Sequence, residues 1–333
     1  MSGQTPEHVT SLSAMKKASF ASASIALAVL ALAACSDGAV DSPGTESSVP
    51  PVAEAPATAN AKSAIKAAPA DDDGCRVFIC GHSFHIFNAK YLGPLAKIAE
   101  LEDHETVGQQ MIGGSSVTQH WELPEEKNRV KEALRSAKVD VLTMSPNWVI
   151  PDPAIDKFVE LGLKYNPDMR FVIQMSWTAY DSMTRGALKS LEERDTKTMA
   201  DLRPAQVLFA TAIELQVNAI NAKYDHPVVT ISPVGYAVLK LREAVIEGKA
   251  PGIKKQSDLY RDLLGHGQPP ILALCTYVNY ATIYGRSPVG LAPFDTFGGA
   301  VSPELHKLLQ QIAWDTVSTY APSGVKTAAA TTK

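Results

Sequence analysis

The stretch Arg76-Val77-Phe78-Ile79-Cys80-Gly81-His82-Ser83-Phe84-His85 decides how the fold is read. Val77 to Cys80 is a short apolar run with β-branched and aromatic members, the length of a buried strand and too short for a helix. Gly81 ends it, and a helical repeat opens soon after in Tyr91, Leu92, Leu95, Ile98 and Leu101. Strand, glycine, polar residue, serine and helix together display a hydroxyl at the carboxyl edge of an α/β sheet, where open sheets of this class bind their ligands. Taken alone, Ser83 reads equally well as a cap on the following helix, because Gly-x-Ser is a short motif.

Working outward, strand and helix patterns alternate to the end of the chain. Strands are predicted over 105–111, 139–144, 170–175 and 228–231. Helices are predicted over 125–137, 155–165, 204–223, 237–247, 270–284 and 303–320. Such alternation builds a parallel sheet covered by helices on both faces. Polar signals recur at the strand ends. Gly113-Gly114 follows the second strand and Asn147 follows the third. Parallel neighbours bring these ends together, so the Ser83 and Gly114 N–H groups and the Asn147 amide make a set of donors for an oxygen that becomes negative in acyl transfer. Singly, Gly113-Gly114 is also a plain turn and Asn147 a loop cap. Near the end of the core, Gly265-His266 precedes a helix in a loop rich in acids, and His266 is placed to act as general base toward Ser83.

Upstream, Lys16-Lys17 precede an apolar run from Phe20 to Ala34 that ends Leu32-Ala33-Ala34-Cys35. The run is shorter than the roughly twenty residues that span a bilayer and has the flanks of a secretory signal. Its ending resembles a bacterial lipobox, with Cys35 lipidated, Met15 as an alternative start and the protein held at the cell envelope; a plain secretory signal with an incidental cysteine is the alternative. Two or more acyl chains give stable anchoring. The Ala-, Pro- and Ser-rich segment 36–74 lacks large apolar residues and reads as a disordered tether. A single globular domain is expected over 75–322, and 323–333 reads as a disordered tail.

With 31 basic and 35 acidic side chains, a net charge of -4 and no basic stripe, nucleic acid is not the expected partner. Of the four cysteines, Cys75, Cys80 and Cys275 remain once Cys35 is set aside. Any one pair of them, or three buried thiols, fits the sequence. A metal site built on His82, His85 and His120 lacks a convincing ligand spacing, so neither metal nor other cofactor is expected.

The Gly-x-Ser-x-Gly nucleophile elbow fails here, because His85 stands where its second glycine belongs. Four ordered blocks instead resemble the SGNH (GDSL-type) hydrolase superfamily: Gly81-His82-Ser83-Phe84, Ile112-Gly113-Gly114-Ser115-Ser116, Pro146-Asn147-Trp148, and Asp262 to His266. Two later segments, Tyr280 to Leu291 and Leu308 to Trp314, also look like bacterial members, so the resemblance covers about Val77 to Tyr320. It implies a three-layer α/β/α sandwich around a five-stranded parallel sheet in order 2-1-3-4-5, and metal-free ester hydrolysis. Ser83, Gly114, Asn147 and His266 fall on its four name-giving positions. Two departures stand out. His82 replaces the usual Asp after the glycine, and Leu263 occupies the position three before the histidine where the acid normally lies. Asp262 is the preferred substitute, with Asp258 or a main-chain carbonyl as alternatives.

The resulting expectation is a lipid-anchored envelope serine esterase acting on an ester-bearing small molecule or glycan, with carbohydrate O-acetyl groups favoured. Trp121, Trp148 and Trp177 are candidates for a sugar-stacking face, or for plain packing. A lysophospholipase or thioesterase would use the same residues. A non-catalytic binding lipoprotein on this fold is the rival from another class, motivated by Leu263.

Overall fold

Val77 and Ile79 fall in one hydrophobic core and Phe78 and Cys80 in the other, because side chains alternate across a pleated strand. This strand, β1 (Arg76–Gly81), lies inside a parallel sheet with β2 (Glu105–Met111), β3 (Val141–Met144), β4 (Arg170–Gln174) and β5 (Val229–Ser232). The order is β2-β1-β3-β4-β5, and every pairing is parallel. The computed structural model describes residues 74–295 and 301–325. The leader with Cys35, the tether up to residue 73 and the tail from residue 326 lie outside the described residues.

Eight α-helices are described: α1 (Asn88–Ile98), α2 (Val117–Trp121), α3 (Arg129–Arg135), α4 (Pro153–Tyr165), α5 (Met199–Asn221), α6 (Val234–Ile246), α7 (Pro269–Tyr284) and α8 (Pro303–Thr319). Helices α1, α6, α7 and α8 pack on the face of Val77 and Ile79. Helices α2 to α5 cover the face of Phe78 and Cys80. The fold is therefore the three-layer α/β/α sandwich, with the chain reversing direction across the sheet beside β1. Helix α7 is buried from Pro270 to Tyr284, as expected of a helix apolar on every side. No helix among the described residues is long and apolar enough to cross a membrane.

Several boundaries differ from the sequence reading, each for a local reason. The charged stretch 125–137 is a 3-10 turn (Glu125–Lys127) and then α3, divided at Asn128, whose side chain caps the Lys131 N–H at 3.1 Å. Helix α5 begins five residues before Pro204, at a Thr198–Asp201 capping box. The packed region runs past Pro322 to Val325, because the Ser323 hydroxyl donates to the Val317 carbonyl at 2.8 Å and Val325 packs on the core. Cys75, Cys80 and Cys275 are buried free thiols.

One glycine sets how closely α6 approaches the sheet. The Gly235 N–H donates to the Met175 carbonyl at 2.7 Å. A Cβ at this residue would lie 2.2 Å from Gln206 Nε2 and 2.7 Å from the Ser176 carbonyl oxygen. Gly235→Ala is expected to lower unfolding stability by about 1–3 kcal/mol in urea titrations. Gly113→Ala, whose Cβ would meet nothing within 4 Å, is the matched control and is expected to change it by less than about 0.5 kcal/mol.

Candidate active site

After Gly81 the chain leaves the sheet in a tight turn, and His82 braces it. The Phe84 N–H donates to His82 Nδ1 at 3.2 Å. The ring proton therefore sits on Nε2, which faces the Pro146 carbonyl at 3.4 Å and the Ser145 hydroxyl at 3.3 Å. An aspartate two residues before an N–H accepts it in the same way, so the histidine does the bracing expected of the missing Asp. Burial drives its pKa down to about 4, which keeps the accepting nitrogen free at ordinary pH. Ser83 does not cap α1, whose N-terminus has no side-chain cap.

A buried polar cluster holds the same turn from below. The Gln174 amide donates to the Phe84 carbonyl at 2.8 Å. Its oxygen lies 2.7 Å from His85 Nδ1 and accepts from Asn279 of α7 at 2.8 Å. His85 Nε2 meets the Thr143 hydroxyl at 2.8 Å. Both hydrogen-bonding groups of the Phe84 backbone are thus spoken for, which orients the neighbouring Ser83.

His266 reaches this turn from a loop closed by two backbone hydrogen bonds, Arg261 N–H to the His266 carbonyl and Gln268 N–H to the Leu259 carbonyl, both 2.8 Å. His266 Nε2 lies 2.8 Å from Ser83 Oγ, and Nδ1 lies 2.6 Å from Asp262 Oδ2. Asp262 Oδ1 accepts the N–H groups of Gly265 at 2.9 Å and His266 at 3.1 Å. Burial alone would raise this carboxyl. The bonds from the His266 ring and from these two N–H groups outweigh it and hold the pKa below the ordinary value. Leu263, at the position where the acid was expected, offers only its carbonyl, which Arg194 Nη2 takes at 2.9 Å. Asp258 bonds the Lys255 N–H at 3.1 Å and no atom of His266.

The loop is fixed from behind. Arg194 is fully buried and pairs with Asp181, which also takes two hydrogen bonds from Arg242 at 2.7 and 2.9 Å. Trp177 Nε1 donates to the Gly265 carbonyl at 2.9 Å, and its ring stacks on Phe84 at 4.4 Å. Phe84 in turn sets its edge against His266 at 5.3 Å. The sequence reading missed Arg194, Trp177 and Gln174 as supports. Nothing in Glu192-Glu193-Arg194-Asp195 distinguishes a buried arginine from a solvated one.

Gly114 and Asn147 meet across the β2 and β3 ends, with Asn147 Nδ2 donating to the Gly114 carbonyl at 3.3 Å. A carboxamide carries two N–H donors, so one stays available toward the cleft. Gly114 is needed for its φ of 63° rather than for space, since a Cβ there would meet nothing within 4 Å. Its loop is tied down by Ser115, whose hydroxyl lies 2.8 Å from His120 Nε2. Because Gln110 Nε2 donates to His120 Nδ1 at 3.1 Å, the imidazole donates to Ser115 from Nε2. That is the reverse of an activated serine, and this buried pair is structural.

Ser83, Gly114 and Asn147 line a common cleft of about 640 Å³, together with Trp148, Tyr180 and Leu264. Of the three tryptophans considered for stacking, Trp148 alone is there. Trp121 packs edge-on against Phe158, and Trp177 lies buried under Phe84. The His82, His85 and His120 ring nitrogens face protein partners. Among the described residues no group of three His, Cys, Asp or Glu side chains is arranged to hold a metal ion.

No protein-family model matches the chain, and no curated protein matches it. Among solved structures, a DUF4886 family protein from Bacteroides uniformis is similar over 78% of this chain and 99% of its own, at 16% identity and a TM-score of 0.52. A chain described as "a putative SGNH hydrolase" from Slackia heliotrinireducens matches 62% of this chain and 98% of its own, at 15% identity and a TM-score of 0.39. The likeness is one of fold alone: a parallel α/β sheet covered by helices on both faces.

The three buried histidines generate a pH dependence of stability. Burial lowers His82, His85 and His120 from 6.5 to about 4. Below pH 6.5 the unfolded chain therefore binds more protons than the folded one. Their contribution is complete above about pH 6.5 and is lost progressively as pH falls toward 4. Thermal melts are expected to give a Tm that is level from pH 8 to 6.5 and drops steeply between 6.5 and 4. A Tm unchanged from pH 7 to 4.5 would overturn this.

Proposed function

We propose that this protein is a serine esterase of the cell envelope that works through an acyl-enzyme on Ser83. The observation that carries the reading is the unbroken hydrogen-bonded chain from Asp262 through His266 to Ser83, with contacts of 2.6 and 2.8 Å. In this reading Ser83 Oγ attacks the ester carbonyl while His266 Nε2 takes its proton. Asp262 holds the ring by Nδ1 and stabilises the imidazolium that forms. The negative oxygen of the tetrahedral intermediate is met by the Ser83 and Gly114 N–H groups and the free Asn147 amide N–H. Collapse expels the alcohol, which takes the proton from His266. Water, deprotonated by the same imidazole, then attacks the acyl-enzyme and releases the acid and the Ser83 hydroxyl.

The finer parts of the reading rest on the sequence. A basic pair, a short apolar run and Leu32-Ala33-Ala34-Cys35 support a lipid anchor on Cys35 and a site facing the periplasm or exterior. Carbohydrate O-acetyl groups are the favoured substrates, and Trp148 at the cleft offers one aromatic face to a sugar. The contact between Asp262 and His266 supports the catalytic reading over a non-catalytic binding protein on the same fold.

Two variants test the chemistry on protein lacking the leader. Ser83→Ala is expected to abolish hydrolysis of 4-nitrophenyl acetate and labelling by a fluorophosphonate probe, with an unchanged melting curve. Residual activity within a few-fold of wild type would remove Ser83 as nucleophile. Asp262→Asn is expected to lower kcat by roughly 10³- to 10⁴-fold, as loss of the correct tautomer does in other triads. Asp258→Asn, the matched control, is expected to stay within about twofold, and the reverse ranking would reassign the acid.

A further inference from the structure

We propose that Arg185 makes the cleft selective for esters carrying an anionic group, a carboxylate or a phosphate, beside the scissile bond. The proposal rests on the esterase reading for its substrate and on independent observations for its site. Arg185 lines the cleft that holds Ser83. It is exposed and makes no hydrogen bond or ion pair with any described residue. No carboxylate is among the described residues that line the cleft, and its other basic side chain, His82, is kept neutral by burial. Arg185 is thus the one permanent charge among the described lining residues, in a cleft whose walls include Phe84, Trp148, Met183 and Leu264. A single cation beside low-dielectric walls concentrates anions, and a planar guanidinium with its donors unspent binds carboxylate or phosphate through two parallel hydrogen bonds.

The arm that carries Arg185 is built rather than loose. On one side it departs from Asp181, which is buried against Arg194 and Arg242, and from Tyr180, whose N–H donates to the Leu264 carbonyl at 3.1 Å. On the other side it is tied by buried Leu188 and by Lys189, whose N–H donates to Glu193 at 3.1 Å and whose ammonium donates to the Gly186 carbonyl at 3.1 Å. Between these anchors the Ser182 hydroxyl accepts the Thr184 N–H at 3.0 Å. Both ends being fixed, the backbone that carries Arg185 is set at the cleft, so the ordering cost on binding falls mainly on the side chain itself.

The test uses matched ester pairs differing in one charge. Acetylated galacturonate against acetylated galactose presents a carboxylate, and lysophosphatidate against monoacylglycerol presents a phosphate. For at least one pair, wild type is expected to favour the anionic member in kcat/KM by about 10-fold, the size of a partly exposed charge-assisted contact. That ratio is expected to fall to about 1 in Arg185→Ala, to lie below 1 in Arg185→Glu and to be partly retained in Arg185→Lys. The pair that shows the dependence identifies the anion. Equilibrium binding of the same pairs to Ser83→Ala, read by tryptophan fluorescence, gives a measure that needs no catalysis. Anion preference there that disappears on adding Arg185→Ala supports the site even if no ester is hydrolysed, which would refute the esterase reading alone. Ratios unaffected by Arg185 in both measurements, for both pairs, overturn the proposal whether or not the protein is an esterase.

Discussion

A fully buried guanidinium is costly unless its charge is neutralised, and in this protein the partners gathered around Arg194 organise the site, although its Nε is left without a hydrogen-bond partner among the described residues. Its charge is met by Asp181 and its Nη2 by the Leu263 carbonyl, while the Tyr260 ring lies 4.1 Å below its central carbon. Arg242 completes the group from α6 and holds Gln256 through its Nε at 2.7 Å. Two cations share one carboxylate, and the excess positive charge is spread over backbone carbonyls and an aromatic face. Three separate segments are bound by this arrangement: the arm after β4, the loop before α7, and α6 itself. Such a cluster adds little stability over a well-packed apolar one, but it leaves few alternatives for where the Asp262 loop sits.

The histidines divide by environment. His82, His85 and His120 are desolvated, neutral and committed to particular neighbours, so they act as polar struts beneath the turn and the Gly114 loop. His266 alone among these four faces both a carboxylate and a hydroxyl, with its side chain 22% exposed. A base has to change protonation state during turnover, which the buried three are prevented from doing near neutrality. The same residue type thus serves as a buried strut at three positions and, in the proposed mechanism, as the base at His266, separated by access to water and by what lies across each nitrogen.

Patterns that depend on neighbours a few residues apart were legible in the chain. The short apolar run in β1, the 3.6-residue periods of the helices and the glycine before Ser83 all belong to this class. The Thr198–Asp201 capping box was equally local but was passed over in favour of Pro204, a more conspicuous start signal that here lies inside the helix. The identity of the acid was open, because residues three and four before a histidine both fall within a loop's reach. What brings Asp262 rather than residue 263 against the His266 ring is that Gly265 and His266 turn their N–H groups onto its second oxygen, a loop conformation that no spacing rule specifies.

By itself the sequence determined the strand and helix content, the serine displayed at a strand end and a histidine placed to serve it, since each follows from short-range backbone and side-chain geometry. Only the tertiary structure decided which tryptophan reaches the cleft, that three cysteines stay as thiols, that Arg194 is buried and that Arg185 faces the site. Ser83 and His266 are separated by 183 positions. Contacts at that range are set by how the sheet orders its strands and how loops close over their ends, and those depend on the packing of the whole core.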